Sequence, residues 1–247
     1  MKAVIEDAYK VFGRYRTPSA PLDACTHCCM SAELERQMHE LSLRKLTPLH
    51  FYEYNSAAKS EVQPAQEVMY FLPRMLELIA QGEEVHHSLE LYLDRVGRCP
   101  PGSLEVTERA VLNRFALAYF SNHLAATRAQ LLEDPLAVLL MFHIGGLDVQ
   151  PLLDYWLQCE DPQSTVQYVD ASYWHFWEGR KVSNAFAEGR TQFQKQVSDW
   201  MLEPANRMIF VDKLVRPEFQ KLIELQSDSG RMPFKFLVDA VFDNLIE

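Results

Sequence analysis

Residues 134–158 read DPLAVLLMFHIGGLDVQPLLDYWLQ, and this stretch decides the fold class. Asp134-Pro135 is typical of a helix start, because an aspartate side chain can cap the first turn and proline fits the first helical position. Gly145-Gly146 is typical of a helix end, and Asp148 begins the next segment. Apolar residues at helical spacing follow, namely Leu152, Leu153, Trp156 and Leu157. The stretch therefore predicts two consecutive helices joined by a tight turn.

Similar start and stop signals recur along most of the chain. Ser31 is a suitable N-cap for a helix over 31–46, and Pro64 opens a segment in which we expect a kink or break at Pro73. Further helices are predicted from Thr47, over 85–96, from Ser103 or Thr107 to about Arg128, in two or three pieces over 163–202, and after Pro204, Pro217 and Pro233. We predict an all-α fold of about 10–12 helices, either an irregular helical bundle or a degenerate HEAT-like stack of helix pairs.

The loop at residues 97–102, GRCPPG, is the clearest break in the chain. Apolar residues are abundant on both sides of it, which favours one continuous core. We therefore predict a single helical domain over 1–247, with a subdivision near 97–102 as the alternative.

Residues 129–179 contain no lysine or arginine, although the whole chain has 24 such residues. This window carries eight acids and three of the four tryptophans, so most of the net charge of −10 lies in it. The acids are Glu133, Asp134, Asp148, Asp154, Glu160, Asp161, Asp170 and Glu178. A field of one sign steers association with an oppositely charged partner, and aromatic side chains anchor interfaces.

We therefore predict that this window forms a docking face for a basic protein partner. Its members are Asp148, Asp154, Glu160, Asp161, Asp170, Tyr173, Trp174, Trp177 and Glu178. On a helix, Tyr173 and Trp177 would share one face, while Trp174 would be rotated away from it. The alternative is that the acids are scattered over a solvated surface and the aromatic residues belong to the core.

The bulk composition argues against several classes of partner. The acidic pI of about 5.3 and the lack of a Lys/Arg cluster argue against nucleic-acid binding. The longest apolar run, 136–144, is far shorter than the roughly 20 residues that cross a bilayer, so no membrane segment is expected. Acids follow the first residues where a signal peptide needs an apolar core. We expect a cytoplasmic protein.

The chain has five cysteines, an odd number that indicates reduced thiols. Cys25-x-x-Cys28 places two thiolates on a tight turn, which is half of a tetrahedral zinc site. The other half has no standard spacing, so His39, His50 or Cys99 would have to complete it through the fold. We favour a reduced cysteine turn without a cofactor, and zinc bound by Cys25 and Cys28 is the alternative.

No linear catalytic motif occurs in the chain. H-E-x-x-H, G-x-S-x-G, a glycine-rich phosphate loop and a dinucleotide fingerprint are all absent. His86 and His87 are adjacent and would point in different directions from a helix. His143 and His175 lie among apolar and aromatic residues, which is typical of core or rim histidines. This pattern favours binding over catalysis.

Two short segments carry a family resemblance. Phe12-Gly13-Arg14-Tyr15 precedes the CxxC of Cys25 and Cys28, and Tyr70-Phe71-Leu72-Pro73-Arg74 follows it. In residues 10–80 the chain resembles a family of uncharacterised bacterial all-helical proteins with an early CxxC and a YFLPR-like segment. The resemblance implies a bacterial cytoplasmic origin, and it indicates neither an activity nor catalytic residues.

Three classes of function are compatible with these observations. The first, which we favour, is a non-catalytic acidic binding protein, specifically a bacterial immunity protein that neutralises a basic toxin by docking on it. The second is a helical enzyme whose site is assembled across helices. The third is an adaptor solenoid with a peptide-binding groove.

Overall fold

The computed structural model describes residues 1–127, 133–225 and 232–247, and in these ranges it contains helices but no β-strand. Thirteen α-helices are described: α1 (Lys2–Phe12), α2 (Ala32–Glu40), α3 (Pro48–Ser56), α4 (Ala65–Ala80), α5 (Asp94–Gly97), α6 (Val106–Ala125), α7 (Pro135–Ile144), α8 (Gln150–Gln158), α9 (Pro162–His175), α10 (Thr191–Leu202), α11 (Pro204–Val215), α12 (Pro217–Leu225) and α13 (Phe234–Ile246). Short 3-10 helices lie at Leu43–Lys45, Leu89–Leu91 and Ala185–Ala187. The all-α prediction is confirmed, with slightly more helices than expected. None of the described helices combines the length and the apolar character that a membrane span requires.

The stretch that opened the sequence analysis folds as predicted. The Asp134 carboxylate accepts hydrogen bonds from the backbone N–H groups of Leu136 (2.8 Å) and Ala137 (3.2 Å), which caps α7. Gly146 ends the helix with a positive φ of 80°, a conformation that glycine adopts without strain. The second helix, α8, begins at Gln150, two residues after the predicted start at Asp148.

Helix α4 continues through Pro73, where we expected a kink or break, and no interruption of the helix is present. Proline removes one backbone hydrogen bond and costs about 3 kcal/mol inside a helix. Residues on both sides of it are buried, among them Phe71, Leu72 and Leu76. Burial of one such side chain contributes about 1.5–3 kcal/mol, so the packing of this helix outweighs the defect.

The continuous helix predicted over 85–96 is wrong. Only the 3-10 turn Leu89–Leu91 and the short α5 form there. The Val85 carbonyl oxygen accepts a hydrogen bond from the Asn55 side chain (2.8 Å), and the His86 ring accepts one from the His87 backbone N–H (2.9 Å). These side-chain contacts satisfy backbone groups that a helix would otherwise pair.

The chain divides into two compact units. The first comprises residues 1–119 and 141–148, and the second comprises residues 120–140 and 149–247. The loop at 97–102 lies inside the first unit.

The first unit is built around α4. Phe71 on this helix contacts the rings of Phe51 (centroids 6.1 Å apart) and Tyr54 (5.2 Å) on α3. Helices α1 and α5 also pack against α4. The second unit has an aromatic core in which Trp156 stacks on Trp200 at 5.7 Å and Tyr168 stacks on Phe210 at 3.6 Å.

Two histidines whose pKa is lowered by burial make the stability of the fold sensitive to acid. His86 in the first unit is 7% exposed, and burial lowers its pKa to about 4. His123 in the second unit is half-buried, and burial likewise lowers its pKa to about 4. Both imidazoles are therefore neutral in the folded protein at pH values where an unfolded chain would protonate them.

We predict that the free energy of unfolding falls as the pH is lowered from 6.5 to 4. In that window the unfolded chain binds protons that the folded histidines do not, so each histidine removes roughly 1–3 kcal/mol of stability. Urea denaturation followed by circular dichroism at pH 7 and pH 5 measures the loss, which should be smaller for His86→Gln and His123→Gln. The exposed His27→Gln is the matched control and should keep the wild-type pH dependence. Equal losses in all four proteins would contradict the prediction.

Candidate metal centre and candidate docking surface

The cysteine cluster consists of Cys25, Cys28 and Cys29, in the loop between α1 and α2. The sulfur of Cys28 lies 3.5 Å from that of Cys25 and 3.1 Å from that of Cys29. Cys25 is half-buried, while Cys28 and Cys29 are exposed. The CxxC spacing therefore brings its two thiols together as predicted, and Cys29, the residue after Cys28, adds the third.

Backbone contacts hold this turn on the first unit. The Cys25 backbone N–H donates to the Ala57 carbonyl oxygen (2.7 Å), and Ala24 forms an isolated antiparallel bridge with Ala58. The Met30 N–H closes the turn by donating to the Cys25 carbonyl oxygen (2.9 Å), and the Met30 side chain is 2% exposed. Both ends of the turn are thus fixed to the core.

The turn stabilises one thiolate and disfavours a second. Backbone N–H groups of Cys28 and His27 lower the pKa of Cys25 to about 7. The neighbouring Cys29 and Cys25 thiols raise the pKa of Cys28 to about 12. Without a cation, the turn therefore favours ionisation of the Cys25 thiol over that of the Cys28 thiol.

A buried guanidinium lies beneath the turn. Arg95 on α5 is 2% exposed, donates to the Asp23 carbonyl oxygen (3.0 Å) and to the Gln63 side-chain oxygen (2.5 Å), and also donates to the Tyr54 carbonyl oxygen. Its guanidinium carbon lies 3.7 Å from the centroid of the Tyr54 ring. Because Asp23 lies two residues before Cys25, this arginine positions the entry to the cysteine turn.

Glu67 on α4 completes the buried network. Its carboxylate accepts hydrogen bonds from the Tyr54 hydroxyl (2.8 Å) and from the Asp23 backbone N–H (3.2 Å). Burial raises the pKa of Glu67, opposed by these hydrogen bonds and by Arg95. The Asp23 carboxylate accepts from the Ser60 hydroxyl at 2.7 Å. Asp23 is therefore held by three residues: Arg95 binds its carbonyl oxygen, Glu67 binds its backbone N–H, and Ser60 binds its carboxylate.

The residues considered as further metal ligands make other contacts. The His39 ring nitrogen Nδ1 lies 3.0 Å from the Pro18 carbonyl oxygen, and His50 binds Thr47 and Gln37. The Cys99 thiol donates to the Arg95 carbonyl oxygen at 3.3 Å. Within the described ranges, Cys25, Cys28 and Cys29 form the one group of three or more potential ligand side chains close enough to share an ion.

The acids of the acidic window are divided between the two units, and one of them is paired with a cation. Asp148 belongs to the first unit, whereas the other predicted acids belong to the second. Glu160 forms an ion pair with Arg216. Arg216 directly follows α11 and lies outside residues 129–179, so this cation is not part of the acidic window. Asp161 caps α9 by accepting from the Gln163 N–H (2.9 Å). These two acids therefore have structural partners, although both remain exposed.

The remaining predicted members differ in accessibility. Asp154 is exposed and accepts a hydrogen bond from the Gln150 side chain (2.8 Å), and Glu178 is also exposed. Trp177 is only 7% exposed and packs on Phe176. The prediction that Trp177 is an accessible anchor is therefore wrong.

Trp174 is 46% exposed and belongs to a group that we call the aromatic patch, formed by Tyr173, Trp174, Met232 and Phe236. The Tyr173 ring lies 4.8 Å from Trp174 and 6.4 Å from Phe236, measured between centroids. The Tyr173 hydroxyl lies 3.3 Å from the Met232 sulfur. Phe236 is 51% exposed, and Met232 is 37% exposed.

Sequence reasoning missed Met232 and Phe236 because they are far in sequence from the acidic window. One signal was present for Phe236. The buried stripe of α13 comprises Phe234, Leu237, Val238, Val241 and Leu245, and Phe236 lies off that stripe. Nothing local distinguishes Met232.

One buried lysine could suggest catalysis, but its contacts indicate a structural role. Lys213 is 3% exposed, and its ammonium donates to the carbonyl oxygens of Leu157 (2.7 Å), Cys159 (2.7 Å) and Trp156 (3.4 Å). These carbonyls end α8, where a cation is favourable. The three protons of the ammonium group therefore all have acceptors, which indicates a structural role. Burial lowers the pKa of Lys213, but these three hydrogen bonds outweigh that sign of catalysis.

Comparison with known proteins gives no relative: no family model, no curated protein and no solved structure matches this chain.

We predict that Arg95→Met lowers the free energy of unfolding by about 3 kcal/mol, because it leaves the backbone carbonyl oxygens of Asp23 and Tyr54 and the side-chain amide oxygen of Gln63 without their donor. Arg98→Ala is the matched control, since Arg98 is partly exposed and pairs with Asp94 on the same helix turn (2.6 Å). That change should cost less than about 1 kcal/mol. Denaturant unfolding monitored by circular dichroism compares the two. Similar small losses would mean that the buried guanidinium is not needed for stability.

Proposed function

We propose that the protein is a non-catalytic binding protein that docks on a basic protein partner, as a bacterial immunity protein does on its cognate toxin. In this proposal it acts in the bacterial cytoplasm. The observation that carries the proposal is the aromatic patch, whose side chains are in contact with one another yet remain accessible.

The chemistry of the aromatic patch fits a protein interface. Tryptophan, tyrosine, phenylalanine and methionine are enriched at the centres of interfaces, where a few such residues provide most of the binding energy. Trp174 and Phe236 are each about half exposed. Covering a large apolar side chain contributes about 1.5–3 kcal/mol, which a partner would gain by closing over this patch.

Charges near the aromatic patch favour a basic partner. Asp170 lies on α9 at three and four residues before Tyr173 and Trp174, which is the spacing of neighbours on one helix face. Asp239 is exposed three residues after Phe236 on α13. Lys235 precedes Phe236 directly but lies about 100° away around the helix. Acids at the rim would accelerate association with a basic surface.

The distribution of charge over the chain is consistent with this choice. The second unit, which contains the aromatic patch, has 17 acidic against 11 basic residues in its sequence. A net negative field of this kind raises the encounter rate with cations at low ionic strength and is screened by salt.

We predict that Trp174→Ala with Phe236→Ala weakens partner binding by at least 2 kcal/mol, because the anchors of the interface are lost. The probe is the purified product of the gene adjacent to that of this protein, and calorimetry measures its affinity. Val106→Ala is the matched control, since Val106 is 87% exposed in the first unit. Co-expression of the same pair tests whether the chain relieves growth inhibition.

The electrostatic part of the proposal has its own variants. Asp170→Lys with Asp239→Lys should lower the association rate and its salt dependence, whereas Glu83→Lys with Glu84→Lys makes the same charge change in the first unit and should not. An adjacent gene product that is not basic, or that binds the Trp174 and Phe236 variant as tightly as wild type, would contradict the proposal.

A further inference from the structure

The cysteine cluster is separate from the proposed docking function, because it lies in the first unit and the aromatic patch lies in the second. The three sulfur atoms all lie within 4.8 Å of one another. Three thiols that converge in this way can either form a disulfide with one thiol left over or bind a metal ion.

Disulfide geometry fits this cluster poorly. A disulfide usually joins Cα atoms about 4.4–6.8 Å apart, and consecutive residues on a trans peptide are only about 3.8 Å apart, so Cys28 and Cys29 are too close to form an ordinary one. A bond from Cys25 to either partner would leave the third thiol unused. The third cysteine therefore needs another explanation.

Metal geometry fits the cluster better. A tetrahedral zinc ion with Zn–S bonds of about 2.3 Å holds its sulfurs about 3.8 Å apart. The observed separation of 3.5 Å between Cys25 and Cys28 is close to this value, and the 3.1 Å between Cys28 and Cys29 requires a small rotation of exposed side chains. A cation would also balance the charge of three neighbouring thiolates.

The backbone of the cysteine turn is already fixed, and two of its thiols are accessible to an ion from solvent. The backbone on both sides is fixed by Ala57, Met30 and the network of Arg95, so binding would not require the turn to order first. Exposure of Cys28 and Cys29 gives an ion direct access from solvent. Among the described residues no fourth ligand side chain joins the group, which leaves one coordination position open.

We propose that Cys25, Cys28 and Cys29 bind one thiophilic cation, Zn²⁺ or Cu(I), through three thiolates, with any further coordination position open to solvent. Both ions favour thiolate ligands. An open position on a zinc ion is typical of exchangeable or reactive sites, whereas closed four-ligand sites are structural.

The experiment is an anaerobic titration of the reduced, metal-free full-length protein with Co²⁺, whose thiolate charge-transfer absorption reports the number of bound sulfurs. We expect one Co²⁺ per chain, displaced by Zn²⁺ in one arm and by Cu(I) in another, and the ion that displaces Co²⁺ at the lower free concentration is the preferred ligand. Cys29→Ser should lower the absorption by about one-third and weaken binding roughly tenfold, because one of three thiolates is lost. Cys25→Ser and Cys28→Ser should each weaken binding further.

Cys159→Ser is the matched control, because this half-buried cysteine lies in the second unit and should leave the titration unchanged. Circular dichroism verifies that each variant is folded. An unchanged Cys29→Ser titration would mean a two-thiolate site and would overturn the role of Cys29. A protein that binds none of the three ions after reduction, or that isolates as a Cys25–Cys28 disulfide and takes up no metal when reduced, would overturn the site altogether.

Discussion

The buried guanidinium of Arg95 is the interaction on which the first unit depends most. A charge removed from water is costly unless it is hydrogen-bonded, and here the two terminal nitrogens of the guanidinium donate to the Asp23 and Tyr54 carbonyls and to the Gln63 side chain. One side chain from α5 thereby joins the loop before Cys25 to α3 and to the entry of α4. The position of the cysteine cluster follows from this constraint, since the cluster has no regular secondary structure of its own.

The fold was predictable where signals are local. The Asp134 cap and the glycines after α7 determine one helix from neighbouring residues alone. The Ser31 cap begins α2 as predicted, but that helix ends at Glu40 and does not continue to residue 46. Prediction failed where distant contacts decide. The Asn55 side chain takes the Val85 carbonyl that a helix would have used, and burial around Pro73 keeps α4 continuous despite the lost hydrogen bond.

The candidate sites follow the same rule. The CxxC spacing predicted that Cys25 and Cys28 would meet, because three residues suffice to form the turn. Arg95 carries no local sign of burial, and only the fold brings it beneath that turn. The acidic window was defined along the chain, whereas a surface is defined in space: Arg216 reaches Glu160 from outside the window, and Phe236 joins Tyr173 from α13.

All four tryptophans, Trp156, Trp174, Trp177 and Trp200, lie in the second unit, while four of the five cysteines lie in the first. Each unit therefore contains its own intrinsic reporter of unfolding. Tryptophan emission follows the unfolding of the second unit alone, and thiol labelling of Cys99, half-buried beside Arg95, follows the opening of the first. Any difference between the two signals during denaturation would measure how far the units unfold independently.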